Sequence, residues 1–294
     1  MARPIVRGTA AWKYFGDFRD VLLAGQVLVL QVAHPVVAAG VRDHSDYTAD
    51  PWTRLMRTGA SLSIYVYGGV SGARVEAERL RALHRTFTGV ADGRRYSALD
   101  PSAYAWVHAT LVKVPVDVQR FFGRPLSTSE LMEYYAQMCD VGRLLGVRER
   151  DLPPDWAAFE RYYDSMVAGF AANPATAELF ETIRTVRKPV GWLPDRWWFP
   201  LRRAQARGQL FLIRATLPAE FRTRLGLQWT PRDQRRFDRF AAAVRLFAAP
   251  IPPGLRTAHM RWIGKLNVWF RAHPRAYRAL VRRAGPGAPP GTFT

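Results

Sequence analysis

The chain has 294 residues but only 6 His and 1 Cys, so chemistry needing a soft ligand or a group titrating near neutrality falls on few positions. The stretch Arg74–Phe87, RVEAERLRALHRTF, reads as a helix. Glu76, Glu78, Arg79, Arg81 and Arg85 cover most of its circumference, while Leu80, Leu83, His84 and Phe87 fall at i, i+3, i+4 and i+7 on one face. His84 thus belongs to the apolar stripe of an otherwise solvated helix. A buried imidazole must find a partner or lose about 1–3 kcal/mol. Two readings follow: a core histidine bonded to a carbonyl, or an axial ligand to a metal or haem, because neutral imidazole is a common iron ligand.

A second group lies in Asp50-Pro51-Trp52-Thr53-Arg54-Leu55-Met56-Arg57-Thr58. Asp50 can cap a helix and Pro51 can take its first position. Arg54 and Thr58 are then i, i+4 on one face, and Ser61 and Tyr65 extend the line. Such a stripe is either an exposed face or an Arg–Thr pair that donates hydrogen bonds to a carboxylate, a propionate or dioxygen. His108 follows Trp106-Val107 and is expected among aromatics, with core packing as the default. His34-Pro35 ends the most apolar stretch, and a turn through Gly40 can bring His44-Ser45-Asp46 back to the same neighbourhood. Ten residues is no standard metal-ligand spacing. His259 and His273 read as surface residues, and Cys139 as a small core residue. Dinucleotide, P-loop, zincin and nucleophile-elbow motifs are absent from the sequence.

The elements that must position these residues are helical. Asp100-Pro101 caps a helix over Tyr104–Val114, Ser127-Thr-Ser-Glu130 is a capping box whose helix Gly146 ends, and Thr230-Pro231 caps another. Trp156, Phe159, Tyr163, Val167 and Phe170 share one helical spacing, as do Phe237, Phe240, Val244 and Phe247. No strand-period stretch of useful length occurs. Val21 to Val41 carries no charge and is long enough for a bilayer span. Gln26, Gln31 and His34 are polar, however, and Pro35 should break a helix there. The expectation is a buried core helix of roughly 13–14 residues followed by a turn. The fold expected is all-α: one multi-helix domain, with basic C-terminal helices packed on it over 251–283 and a disordered Gly/Pro-rich tail over 284–294.

The formal net charge of +19 is one-sided. Residues 1–186 hold 21 Lys+Arg and 20 Asp+Glu, whereas residues 187–294 hold 22 and 4. Trp192, Trp197, Trp198, Trp229, Trp262 and Trp269 are interleaved with that basic segment. Cationic and aromatic residues together suit an anionic membrane surface, and also nucleic acid, which ranks second because no nucleic-acid motif occurs. With no N-terminal apolar signal region, the expected location is cytoplasmic, peripheral to a membrane.

The ordered motifs carry a resemblance. The string from Gln31 to Gly69, QVAHPVVAAGVRDHSDYTADPWTRLMRTGASLSIYVYGG, then LHRTFTG and YSALDPSAYAWVHATL, resembles the MpaB-type oxygenase family, which shares its catalytic domain with the rubber oxygenases called latex-clearing proteins. The resemblance covers roughly residues 10–250. It implies a globin-like haem-b-binding domain over 10–250, and an oxygenase that uses dioxygen on an apolar isoprenoid or lipid-like substrate, by C=C cleavage or related oxygenation. The family's Arg-x-x-x-Thr motif maps to Arg54 and Thr58, and its haem-ligating His to His84. His34, Arg57 and His108 are further candidates for cofactor contact. Two positions differ. Arg57 stands where rubber oxygenases have a Lys, and a guanidinium stays protonated and ligates poorly. They also use a Glu upstream of the Arg as base, whereas the first Glu here is Glu76. Asp43, His44 and Asp46 are the candidates for that role. The alternative to an enzyme is a non-catalytic basic helical protein that docks on anionic membranes.

Overall fold

Helices account for nearly all regular structure in the computed structural model, which describes residues 5–45, 48, 50–189 and 193–273. They run α1 (Ala10–Tyr14), α2 (Ala24–Ala33), α3 (Pro35–His44), α4 (Pro51–Tyr67), α5 (Gly69–Arg85), α6 (Pro101–Phe122), α7 (Thr128–Leu145), α8 (Trp156–Gly169), α9 (Pro174–Thr185), α10 (Asp195–Thr216), α11 (Ala219–Arg224), α12 (Pro231–Ala248), α13 (Pro253–Arg256) and α14 (Ala258–Ala272). The all-α expectation holds.

Local sequence chemistry sets several boundaries. Asp100 accepts from the Ala103 amide and Pro101 opens α6. Ser127 and Glu130 form the reciprocal capping box of α7, and Gly146 ends it at φ 96°. Thr230 and Asp233 repeat the box at α12. The apolar stretch differs from expectation after Pro35. It begins as a 3-10 turn (Phe18–Leu23), continues as α2, then bends by 105° into α3. Pro35 ends α2 but also starts α3, because a proline at the first helical position loses no hydrogen bond. Among the described residues, no single helix is long and apolar enough to cross a membrane.

The core gathers around Trp106, which is fully buried. Its Nε1 donates to the Leu30 carbonyl at 2.8 Å, and its ring meets Tyr163 and Phe170. A second core cluster joins Leu23, Val118, Phe122, Phe237 and Ala241, docking α12 onto α6. Beside it Arg19, itself buried, pairs with buried Asp17 and donates from Nη1 to the Phe122 carbonyl at 2.6 Å. Phe237 is buried, but Phe247, expected on the same face, is exposed.

Two features were not expected. Thr88–Ala91 (β1) and Arg94–Ser97 (β2) pair antiparallel as a hairpin. Asp92 and Gly93, at φ 50° and 73°, make its two-residue turn. Asp-Gly is a strong signal for such a turn, and each strand is too short for alternation to show. The second is the tightness of α14 against α4. A Cβ on Gly264 would lie 3.0 Å from the Ser63 carbonyl oxygen, so glycine permits the approach. The outward side of α14 presents Trp262, Leu266 and Trp269 at i, i+4 and i+7, with Trp262 73% exposed. Trp198 is buried and Trp229 packs against Phe211, while Trp192 lies outside the described residues.

Candidate functional site

His84 occupies the last turn of α5, half-buried, with its ring edge-to-face to Tyr104 of α6 at 5.7 Å and tilted to Phe87 at 5.9 Å. The buried Nδ1 has no hydrogen-bond partner among the described residues, and neither has the Tyr104 hydroxyl. Burial lowers the imidazole pKa to about 4, and the positive charges of Arg79 and Arg54 push the same way. Burial and these two positive charges favour the uncharged imidazole at neutral pH, the form suited to ligation.

The face that α5 buries differs slightly from the expected stripe. Ala73, Glu76 and Ala77 are buried ahead of His84, while Leu83 is exposed. Glu76, expected in solvent, is 0% exposed. It accepts from Ser61 Oγ of α4 at 2.5 Å, and from Arg79 Nε and Nη2 at 2.9 Å each. Tyr65 lies in the same neighbourhood, and its hydroxyl pKa is raised by burial and then by the Glu76 charge. The polar line on α4 therefore turns in part toward α5: Ser61 bonds Glu76, and Arg54 acts on His84. Sequence reasoning missed Glu76. The available signal was its place on the line Ala73, Ala77, Leu80 and His84, with Arg79 three residues on.

The other candidates take different places. Arg54 donates from Nη1 to Ser45 Oγ. Arg57 and Thr58 are exposed. Asp46 lies outside the described residues. His44 stacks on Phe87 at 4.9 Å and donates from Nε2 to the Thr88 carbonyl, so it reaches the His84 neighbourhood through a shared phenyl ring. Asp43 accepts from the Tyr96 hydroxyl at 2.5 Å. These contacts tie α3 to the hairpin that grows directly from the end of α5, bracing the turn that carries His84. His34 packs elsewhere, with Nε2 3.2 Å from Ser102 Oγ and its ring against Phe170. His108 lines a separate cavity of about 10 Å³ with Tyr135, Cys139, Phe159 and Tyr162. Burial lowers its pKa to about 4, opposed by the Met138 backbone. His259 and His273 are exposed, as expected.

The donor set limits what could be held here. Among the described residues no group of three or more His, Cys, Asp and Glu could hold a bare metal ion. A porphyrin needs only one axial side chain, since its own nitrogens supply the equatorial ligands. The unpartnered His84 nitrogen suits such a group, and the positive charges of Arg54 and Arg79 that act on the same ring would suit its propionates.

Comparison with known proteins gives the lineage. Two uncharacterised proteins, one from Mycobacterium bovis and one from Mycobacterium tuberculosis, are each 30% identical over 268 residues, which is 88% of this chain and 100% of theirs. No solved structure matches. The family described as ER-bound oxygenase mpaB/B'/Rubber oxygenase, catalytic domain, matches residues 12–246, a span that includes α4, α5, Arg54 and His84. A match of this breadth, over most of the chain, makes the chain a member of the mpaB and rubber oxygenase catalytic-domain family.

Proposed function

We propose that the chain is a haem-b-dependent oxygenase acting with dioxygen on an apolar, isoprenoid or lipid-like substrate. The observation that carries this is His84: a neutral imidazole with an unpartnered buried nitrogen, flanked by Arg54 and Arg79. Haem, when bound, supplies the one-electron chemistry that makes dioxygen reactive toward an alkene. Cleaving one C=C bond and adding both oxygen atoms gives two carbonyl groups, so the overall reaction balances without an outside reductant.

The chain's own residues do the rest. His84 holds the iron, and burial keeps it deprotonated for that purpose. Tyr104 fixes the imidazole plane from α6. Arg54 and Arg79 supply positive charge for anionic groups of the cofactor. Leu55, Met56 and Leu83 are exposed apolar side chains on α4 and α5, the two helices that carry Arg54 and His84, and an apolar substrate would meet them there. Arg57 stands where the rubber oxygenases have a Lys, and its guanidinium would not ligate iron.

The purified protein should be red-brown with a Soret band, and His84→Ala should lose it. A colourless protein that cannot be reconstituted with hemin overturns the proposal.

A second reading concerns place rather than chemistry. The outward Trp262–Leu266–Trp269 side of α14, within the basic segment, favours attachment to anionic membrane surfaces, where an enzyme for lipid-soluble substrates meets them.

A further inference from the structure

The 3-10 turn Phe18–Leu23 and helix α12 enclose a surface groove of about 330 Å³. Phe18, Val21 and Leu22 line one wall, and Ala243, Val244 and Phe247 the other. The walls meet where the Phe18 and Phe247 rings stand edge to face at 6.5 Å. The remaining lining residue, Arg19, is 1% exposed, and each of its three side-chain nitrogens is engaged by Asp17 or the Phe122 carbonyl. The wall is therefore hydrocarbon, and the volume falls in the range of about 300–1,000 Å³ that suits a small ligand. Phe247 and Val21 remain 69% and 64% exposed, so the chain itself leaves the groove uncovered. Leu22 and Val244 pack on the second core cluster beside Phe121. Phe121 is about 25 Å along α6 from Tyr104, the residue that meets His84, at about 1.5 Å per residue.

The charge around this groove has one sign. Arg239, one turn before Ala243 on α12, is exposed and forms no hydrogen bond or ion pair among the described residues. Arg245 Nη1 donates to the Phe121 carbonyl at 2.7 Å. Arg256 donates to the carbonyls of Ile251 and Ala248, at 2.7 and 3.0 Å, next to the Phe247 end. Neutral carbonyls leave both of those charges in place. The nearby carboxylates do not cancel them: Asp17 is matched by Arg19, and burial raises the Asp20 pKa well above the usual carboxylate range. A second copy of the chain would set the same positive rim against this one. Hydrocarbon walls under a cationic rim instead complement an amphiphile, its chain inside and an anionic head outside.

We infer that this groove binds the hydrocarbon chain of a single-chain anionic amphiphile, whose head lies among Arg239, Arg245 and Arg256. It is a second site at the far end of α6, and it stands whether or not His84 holds haem. Decanoate and decanol, which share a chain and differ in charge, are titrated into the full-length protein by calorimetry at low salt. Wild type should bind both, and decanoate about fivefold more tightly, the size of an exposed charge interaction. Added salt should shrink that preference. Ala243→Trp, at an exposed position, fills the groove and should weaken both probes about tenfold or more. Arg239→Glu should remove the preference for decanoate and leave decanol binding unchanged. His84→Ala should bind both probes as wild type does, so this result and the haem reading fail separately.

Amide exchange in wild type gives a second measurement that needs no variant. Decanoate should slow exchange in Phe18–Leu23 and α12 and leave α5 unchanged. Binding of neither probe, equal affinity for the two, or affinities unmoved by Ala243→Trp overturns the inference. Flotation with anionic vesicles that Ala243→Trp weakens, without decanoate binding, makes this face a bilayer contact and overturns it too. Dimerisation that Ala243→Trp abolishes, again without decanoate binding, gives the groove to a second copy with the same consequence.

Discussion

The chemistry of single residues here is governed by burial. His84 and His108 both have pKa values lowered to about 4, in each case first by desolvation. For His84, a ligand that needs neutral imidazole should stay bound as pH falls through 6.5 and be released only at about 4 or below, since it competes with the proton for the ring. Spectrophotometric acid titration of the hemin-loaded protein checks this, and release near 6.5 would contradict the assigned environment. For His108 the consequence is stability. The unfolded chain takes up its proton near pH 6.5, while the folded chain resists until about 4. Stability contributed by the neutral form is thus fully present above about 6.5 and lost as pH falls toward 4. The size is of the order of 3 kcal/mol for this one group. Denaturant melts at pH 7 and 4.5 should show that loss in wild type and a smaller one in His108→Gln. Residue-scale reading of the sequence found His84 because an imidazole on an apolar stripe is conspicuous. It missed Glu76 because charge on a helix is read as solvation. Only a second helix, bringing Ser61 against it, shows that this carboxylate is enclosed.

At the scale of elements, most helix starts were legible and the corners were not. Asp100, Ser127 and Thr230 announce their helices through side chains that bond amides three residues away, which is wholly local information. The hairpin after Phe87 was equally local, yet its two four-residue strands gave no alternation to read. The buried Asp17–Arg19 pair was not legible, since it depends on the Phe122 carbonyl 103 residues away. Removing one partner leaves a charge enclosed without compensation, which costs about 3–5 kcal/mol. Arg19→Met should lower stability by that amount in denaturant melts, with no direct effect on ligand binding at His84. The α14 contact makes a second prediction at this scale. Gly264→Leu places side-chain atoms where the Ser63 carbonyl lies 3.0 Å from even a Cβ. Overpacking of this kind costs about 1–3 kcal/mol. Amide exchange should then quicken in α4 and α14 more than in α7.

For the molecule as a whole, the net charge of +19 divides into a near-neutral part with the candidate site and a basic part with an aromatic outer side. The sequence foresaw the division but not which tryptophans face outward. Trp198 and Trp229 are taken up by packing, while Trp262 and Trp269 are not enclosed. Flotation with vesicles of anionic and neutral lipid should show charge-dependent binding that falls as salt is raised, because such attraction is screened within about 8–10 Å at 0.1–0.15 M salt. The pair Trp262→Ser and Trp269→Ser should reduce binding several-fold without altering the fold. Equal flotation with both lipids would remove the anionic-surface reading, and no flotation with either would remove membrane attachment altogether.

The helix that presents these tryptophans has two sides. Its inner side is wedged by Gly264 against α4, the helix from which Arg54 reaches His84. If lipid on the outer side changes how firmly α14 seats on α4, occupancy of the His84 site changes with it, and thermodynamic reciprocity requires the converse. The factor by which anionic vesicles tighten ligand binding must then equal the factor by which ligand tightens vesicle binding. Two independent titrations, one on each side of a single helix, are bound to return the same number.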